Sequence, residues 1–131
     1  MDSRYLIGIS ELDSQHEEIE TAFAEYQKAL DNKPCPQDMQ AIVATLSEKL
    51  RFHFHAEESI MRIFAYPETE EHRRRHLEIL KSVERLGEDE LAHPDAQSRG
   101  DQTMQLFLEQ ILSQDLRFAA FLQRSKDRLG I

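Results

Sequence analysis

The sequence predicts an all-α protein: an up-down-up-down four-helix bundle in a single domain over residues 1–131. Apolar residues recur at steps of three and four in four separate segments, as on one face of an amphipathic helix. The prolines and glycines, four of each, gather mainly between those segments, and nothing resembles a strand of period two. Two short connections and one moderate one favour antiparallel neighbours.

The first helix is expected to begin at a cap formed by Ser10 or Asp13. Its inner face comprises Leu12, His16, Ile19, Phe23, Tyr26 and Leu30. The second helix follows the prolines at 34 and 36 and ends before Pro67, which suits the first turn of the next helix. Its inner face comprises Met39, Ile42, Leu46, Leu50, His53, Glu57, Ile60 and Phe64.

The third helix is expected to stop at Gly87, and a polar loop from about Glu88 to Gly100 then leads to the fourth. The inner face of the third helix comprises His72, His76, Ile79, Val83 and Leu86. The inner face of the fourth comprises Phe107, Leu108, Ile111, Asp115, Phe118 and Leu122.

Composition excludes several classes of function. The 131 residues suffice for one hydrophobic core but leave no room for a second domain. A formal net charge of -9 argues against nucleic acids and anionic membrane surfaces as partners. There is no apolar run of roughly 20 residues. The single cysteine and the absence of a secretion signal make the cytoplasm the expected compartment.

Six polar residues interrupt the apolar faces where core residues belong. They are His16, His53, Glu57, His72, His76 and Asp115. Burying an unpaired carboxylate or imidazolium costs several kcal/mol, so interior charges have to be paired, hydrogen-bonded or bound to a metal.

Antiparallel packing brings all six residues to one level of the bundle. Within α-helices, residues four apart point from one face, as do His53 with Glu57 and His72 with His76. Two such pairs on different helices predict a metal site. Imidazole with carboxylate suits iron, zinc, copper or manganese, and a lone cysteine argues against a thiolate site.

The motifs around these residues resemble the hemerythrin family, specifically its small bacterial members, over nearly the whole chain. The motifs are Gly8-Ile9, Asp13-x-Gln15-His16, His53-Phe54-His55-Ala56-Glu57-Glu58-Ser59-Ile60-Met61, Tyr66-Pro67 with His72-x-x-x-His76, and Ile111-x-x-x-Asp115. The resemblance implies two non-haem iron ions joined by an oxo or hydroxo group and by two bridging carboxylates, Glu57 and Asp115.

By the same resemblance, His16 and His53 hold the iron whose open position takes dioxygen, and His72 and His76 hold the other. Glu58 is expected to point away into solvent. The family pattern has a fifth histidine five residues before the bridging aspartate, and Gln110 stands there in this chain. The weaker amide oxygen either coordinates the second iron or leaves it a vacancy or a water; both remain open.

Two further histidines are not expected to be ligands. His55 faces away from His53 on the same helix, and His93 lies in the loop before the fourth helix. Apolar walls are expected from Ile19, Phe23, Phe54, Ile60, Phe107 and Ile111.

Three functions fit this pattern. The first is reversible dioxygen binding for sensing, storage or delivery. The second is a di-iron enzyme acting on peroxide or nitric oxide, favoured if Gln110 leaves both irons exposed. The third is a structural metal-binding or interaction module. Ferritin-like enzymes are set aside because they need paired Glu-x-x-His motifs.

Overall fold

The fold is described from a computed structural model, which covers residues 2–32, 35–88 and 96–131. Much of the predicted loop before the fourth helix, including His93, lies outside the described residues. Within the described residues, every helix is too short or too polar to span a lipid bilayer.

The described chain is a four-helix bundle, as predicted. The helices are α1 (Ser10–Asp31), α2 (Pro36–Ile63), α3 (Thr69–Glu88), α4 (Ala96–Gln110) and α5 (Leu116–Leu129). α4 and α5 are two halves of the fourth helix, joined by a π-helical turn. Each helix packs on the next, and α4 packs back on α1, so the four surround one interior.

The core forms where the apolar faces meet. Large side chains that are almost completely buried there include Phe23, Tyr26, Leu46, Leu50, Phe107 and Phe118. Each such side chain contributes about 1.5–3 kcal/mol through burial, which makes the helices mutually dependent. Most predicted inner-face residues are buried, and the remaining five, Leu30, Ile42, Ile60, Phe64 and Leu108, are partly buried against the core.

The start of α1 differs from the expectation, because neither Ser10 nor Asp13 caps it. Ile9 occupies the cap position, and no side chain bonds to the first turn there. The Asp13 carboxylate accepts instead from the backbone N–H of Ile7 at 2.8 Å and of Gly8 at 3.1 Å. Asp13 thus fixes the preceding segment, in which Gly8 turns the chain at φ +89°.

Two other predicted helix boundaries are wrong, at Pro67 and at Gly100, whereas α3 ends at Glu88, one residue after its predicted stop. Pro67 lies in the turn before α3, which begins at Thr69. Gly87 lies inside α3, and Gly100 lies inside α4, which begins at Ala96. Both glycines lie close to side chains of a neighbouring helix. A Cβ on Gly100 would lie 2.6 Å from Tyr26 Cε1, and one on Gly87 would lie 3.1 Å from Val43 Cγ1.

The π-helical turn Ile111–Asp115 is the irregular feature of the fourth helix. The Leu116 N–H donates to the carbonyl of Ile111, five residues earlier, while the flanking backbone stays right-handed helical. In an α-helix, residues five apart are separated by about 140° around the axis. A π turn brings them roughly one above the other, so Gln110 and Asp115 are both buried.

Candidate metal centre

The six polar residues predicted for a metal site meet inside the bundle. Each is at most 1% exposed, and together they come from all four helices. They are His16 on α1, His53 and Glu57 on α2, His72 and His76 on α3, and Asp115 in the π-helical turn.

One half of the centre lies between α1 and α2. The Nε2 atoms of His16 and His53 face each other at 2.9 Å. His16 Nε2 is 3.1 Å from Asp115 Oδ2, and His53 Nε2 is 3.5 Å from Glu57 Oε2. Two nitrogens and two oxygens therefore converge on one point.

The other half lies on α3. His72 Nε2 is 2.9 Å from Asp115 Oδ1 and also contacts Glu57 Oε1. His76 Nε2 is 3.3 Å from the same Glu57 oxygen. This half again combines two imidazole nitrogens with two carboxylate oxygens.

The two halves share their carboxylates. Glu57 and Asp115 each direct one oxygen to the His16–His53 pair and the other to the His72–His76 pair. In each of the two resulting groups, all four ligand atoms lie within 4.8 Å of one another. A carboxylate that divides its oxygens in this way has the geometry of a bridge between two cations.

The donor set fits metal ions better than a network of hydrogen bonds. Both oxygens of Glu57, Oδ1 of Asp115 and Nε2 of His72 and His76 are buried without a hydrogen-bond partner. Buried polar atoms of this kind normally have partners. Two donors at right angles, each about 2.1 Å from an ion, lie about 3.0 Å apart, close to the spacings found here.

One histidine of each pair is oriented from outside the centre. His53 Nδ1 donates to Gln15 Oε1 at 2.7 Å, and His76 Nδ1 donates to Glu58 Oε2 at 2.8 Å. Each bond leaves the Nε2 lone pair directed inward, the usual arrangement for a metal-bound imidazole. The Nδ1 atoms of His16 and His72 have no such partner.

The expectation that Glu58 points into solvent is therefore wrong. Glu58 is only 9% exposed, and its carboxylate accepts a hydrogen bond from His76. On a helix, Glu58 lies about 100° round from Glu57, which turns it toward α3. The angle follows from the sequence. Combined with the order of the helices around the bundle, it would have predicted the contact between Glu58 and His76. The role of Gln15 was missed for the same reason.

Residues 7–122 match the model of the hemerythrin HHE cation-binding domain. The chain belongs to the hemerythrin family. The match spans all six residues of the centre, in agreement with a metal-binding protein. No curated protein and no solved structure matches the chain.

Aromatic side chains surround the hemerythrin-type centre. Phe54 stacks on His76 with 3.9 Å between the ring centroids, and Phe107 meets the edge of His16 at 5.7 Å. Phe118 lies 6.4 Å from His72. Of the predicted walls, Ile19, Phe23, Phe54, Phe107 and Ile111 are buried and Ile60 is partly buried. The centre is thus screened from bulk water.

Burial and the neighbouring charged residues shift the pKa values of the central residues in different directions. Burial lowers the pKa of His53 to about 4, which keeps its imidazole neutral. Burial also disfavours the charged form of His72, but the close Asp115 and Glu57 carboxylates outweigh it and raise its pKa to about 9. Although burial opposes ionisation of Glu57, the adjacent His72 and His76 imidazoles hold its pKa well below the usual value. Without metal, the centre thus retains a proton where a cation would bind.

Two further candidates, Gln110 and His55, differ in burial. Gln110 is 4% exposed, and its Nε2 is buried without a hydrogen-bond partner. His55 is exposed on the outer side of α2, as predicted.

Proposed function

We propose that this hemerythrin-family chain binds two non-haem iron ions, joined by an oxo or hydroxo group, and binds dioxygen reversibly. The observation that supports a pair of metals is the division of the Glu57 and Asp115 oxygens between two histidine pairs. A single metal would leave one histidine pair and two carboxylate oxygens buried without compensation. Histidine and carboxylate ligands suit iron.

In this proposal His16 and His53 hold the iron that has an open position, and His72 and His76 hold the other. When bound, the iron pair supplies the electrons for reversible reduction of dioxygen. The role of the protein is to hold the ligands and exclude water. Gln15 fixes the tautomer of His53, and Phe107 shields the outer edge of His16.

An apolar surrounding favours reversible binding over loss of an oxidised product. Solvent would supply protons to a reduced oxygen species, and buried aromatic walls slow that supply. Buried apolar side chains among the predicted walls include Ile19, Phe23 and Ile111. The proposed roles are sensing, storage or delivery of dioxygen.

The test is a spectroscopic titration. The iron-loaded chain is reduced without air and then mixed with dioxygen, and we expect a new visible absorption that reverses when the gas is removed. His53→Ala should lose the signal, while His55→Ala, two residues away on the exposed side of α2, should keep it. No spectral change in a chain that carries reduced iron would refute dioxygen binding.

A second candidate is turnover of peroxide or nitric oxide, and Gln110 is the residue that favours it. Its buried amide makes no hydrogen bond through Nε2, so the side chain is free to turn its oxygen toward a cation. Even so, an amide oxygen is a weaker ligand than the imidazole of the family pattern. An iron with a weak or missing ligand is open to substrate, and this favours catalysis over storage.

Gln110→His separates the two candidates. If turnover depends on the weak position, native iron-loaded protein should consume peroxide faster than Gln110→His in steady-state assays. Reversible dioxygen binding should persist in both forms. Equal peroxide rates at equal iron content would remove the argument for catalysis.

A further inference from the structure

We propose that the outer face of α2 is a self-complementary surface on which α2 of a second copy of this chain lies antiparallel. The surface, here called the α2 face, consists of Phe52, Ala56, Ser59 and Ile63. This inference is independent of the bound metal and of its chemistry.

The α2 face carries two large apolar side chains in water. Phe52 is 67% exposed and Ile63 is 76% exposed, on a helix whose opposite side is buried in the core. Eleven residues turn an α-helix by about 1,100°, so the two side chains lie within about 20° of each other around the axis. Ala56 and Ser59 lie between them, about 30° to either side. The order along the face is large, small, small, large.

This order is symmetric about a point between residues 57 and 58. A two-fold axis through that point places Phe52 opposite Ile63 of the second copy, and Ala56 opposite Ser59. Small residues at the centre allow the backbones to approach to about 8–10 Å, while a large apolar pair closes each end. An interface of one patch against itself is the usual form of a two-fold dimer.

The charges around the face favour the antiparallel arrangement. Glu48 lies next to Phe52, in a groove where Glu18 is 4.0 Å from Lys49, and Arg62 lies at the Ile63 end, where it is 3.6 Å from Glu58 of its own chain. Antiparallel pairing puts Arg62 about five residues, roughly 7.5 Å along the axis, from Glu48 of the second copy, within reach of an arginine side chain. Parallel pairing would instead set Glu48 beside Glu48, and Arg62 beside Arg62, of the second copy.

The same contact would cover a groove beside the metal centre. The groove holds about 480 Å³ and is lined by Gln15, Glu18, Glu48, Lys49 and Phe52. Gln15 is the residue that orients His53. Ile63 of the second copy would lie over the Phe52 side of this groove, so association would restrict solvent at the outer partner of a ligand histidine.

The interface is small, and this sets the expected strength. One helix pair buries less than the roughly 1,200 Å² at the lower limit of standard interfaces. We therefore expect a reversible dimer whose population rises with concentration. Sedimentation equilibrium of the metal-loaded full chain, from low to high micromolar, should show it.

Point variants test which surface is used. Phe52→Ser and Ile63→Ser should each weaken association by about tenfold or more, since each removes an apolar contact twice in the dimer. Leu129→Ser removes a large apolar side chain that is 65% exposed on α5 and should leave association unchanged. A native chain that stays monomeric at every concentration, or an equal effect of Leu129→Ser, would overturn the proposal.

Cysteine cross-linking tests the orientation, in a chain whose exposed cysteine is removed by Cys35→Ser. In the antiparallel register the two copies of residue 59 lie about 4.5 Å apart along the axis, whereas the two copies of residue 45 are about 37 Å apart. Ser59→Cys should therefore form a disulfide dimer under mild oxidation, and Thr45→Cys should not. Cross-linking through position 45 but not through position 59 would overturn the antiparallel arrangement.

Discussion

Glu58 and Gln15 fix the tautomer and the ring orientation of two of the central histidines, His76 and His53. Each accepts a hydrogen bond from a histidine Nδ1, and each serves a different half of the centre. The Glu58 carboxylate also lies 3.6 Å from Arg62. The contribution of Glu58 and Gln15 to metal binding can thus be tested without removing a metal-ligating side chain.

Replacing Glu58 should weaken metal binding without unfolding the bundle. Glu58→Ala removes the acceptor of His76 Nδ1, and losses of this kind typically cost 10–100-fold in metal affinity. Glu58→Gln keeps an oxygen acceptor and should lose less. Competition titration with a chelating dye measures the affinity, and exposed Glu78→Ala on α3 is the matched control. Wild-type affinity in Glu58→Ala would show that the contact does not support the site.

Metal uptake should release protons, because His72 retains a proton in the metal-free chain. Its pKa is raised to about 9, so the imidazole is charged at neutral pH and has to lose its proton before a cation binds. Affinity should therefore rise with pH up to about 9, by up to tenfold per unit for each proton displaced. Zinc titrations between pH 6.5 and pH 9, followed with a pH indicator, measure both effects. Binding that is independent of pH would contradict a protonated His72.

At the scale of the elements, the inner faces could be predicted but the helix ends could not. The three- and four-residue spacing identifies the buried side of each helix, because burial is repeated over many turns. One sequence carries no sign that Gly100 packs against Tyr26 or that Gly87 lies close to Val43. The π-helical turn could not be predicted either, because the residues between Gln110 and Asp115 are compatible with an ordinary α-helix.

The two glycines should differ in their response to alanine. Alanine is favoured over glycine inside a helix by about 1 kcal/mol. At Gly100 the added Cβ would lie 2.6 Å from the buried Tyr26 ring, and overpacking of this kind costs about 1–3 kcal/mol. Gly100→Ala should thus lower the free energy of unfolding, while Gly87→Ala, 3.1 Å from one Val43 methyl group, should be nearly neutral. Urea unfolding measures both; equal effects would contradict the packing explanation.

At the scale of the whole molecule, the bundle gathers polar groups that oppose its own folding. The centre could be predicted from the sequence because six polar residues occur on faces that are otherwise apolar and fall at one depth. The division of each carboxylate between two histidine pairs was implied only by the family resemblance, because spacing alone does not fix side-chain directions across four helices. Glu58 was expected in solvent and is buried beside His76.

Removing metal should destabilise the whole bundle. A ligand that binds only the folded state stabilises it by about 2.7 kcal/mol at a free concentration one hundred times its dissociation constant. Chelation should therefore lower the melting temperature, and restoring iron should reverse the change. Calorimetry with and without chelator measures the difference. A melting temperature that does not respond to metal would mean that the centre does not contribute to folding.

The most direct test of the central claim is the metal content of the folded chain. Iron quantification per chain, together with an ultraviolet-visible spectrum of the oxidised form, should give two irons per chain, since Glu57 and Asp115 each serve two histidine pairs. A chain that stays fully folded while refusing iron and every similar divalent ion would contradict the account.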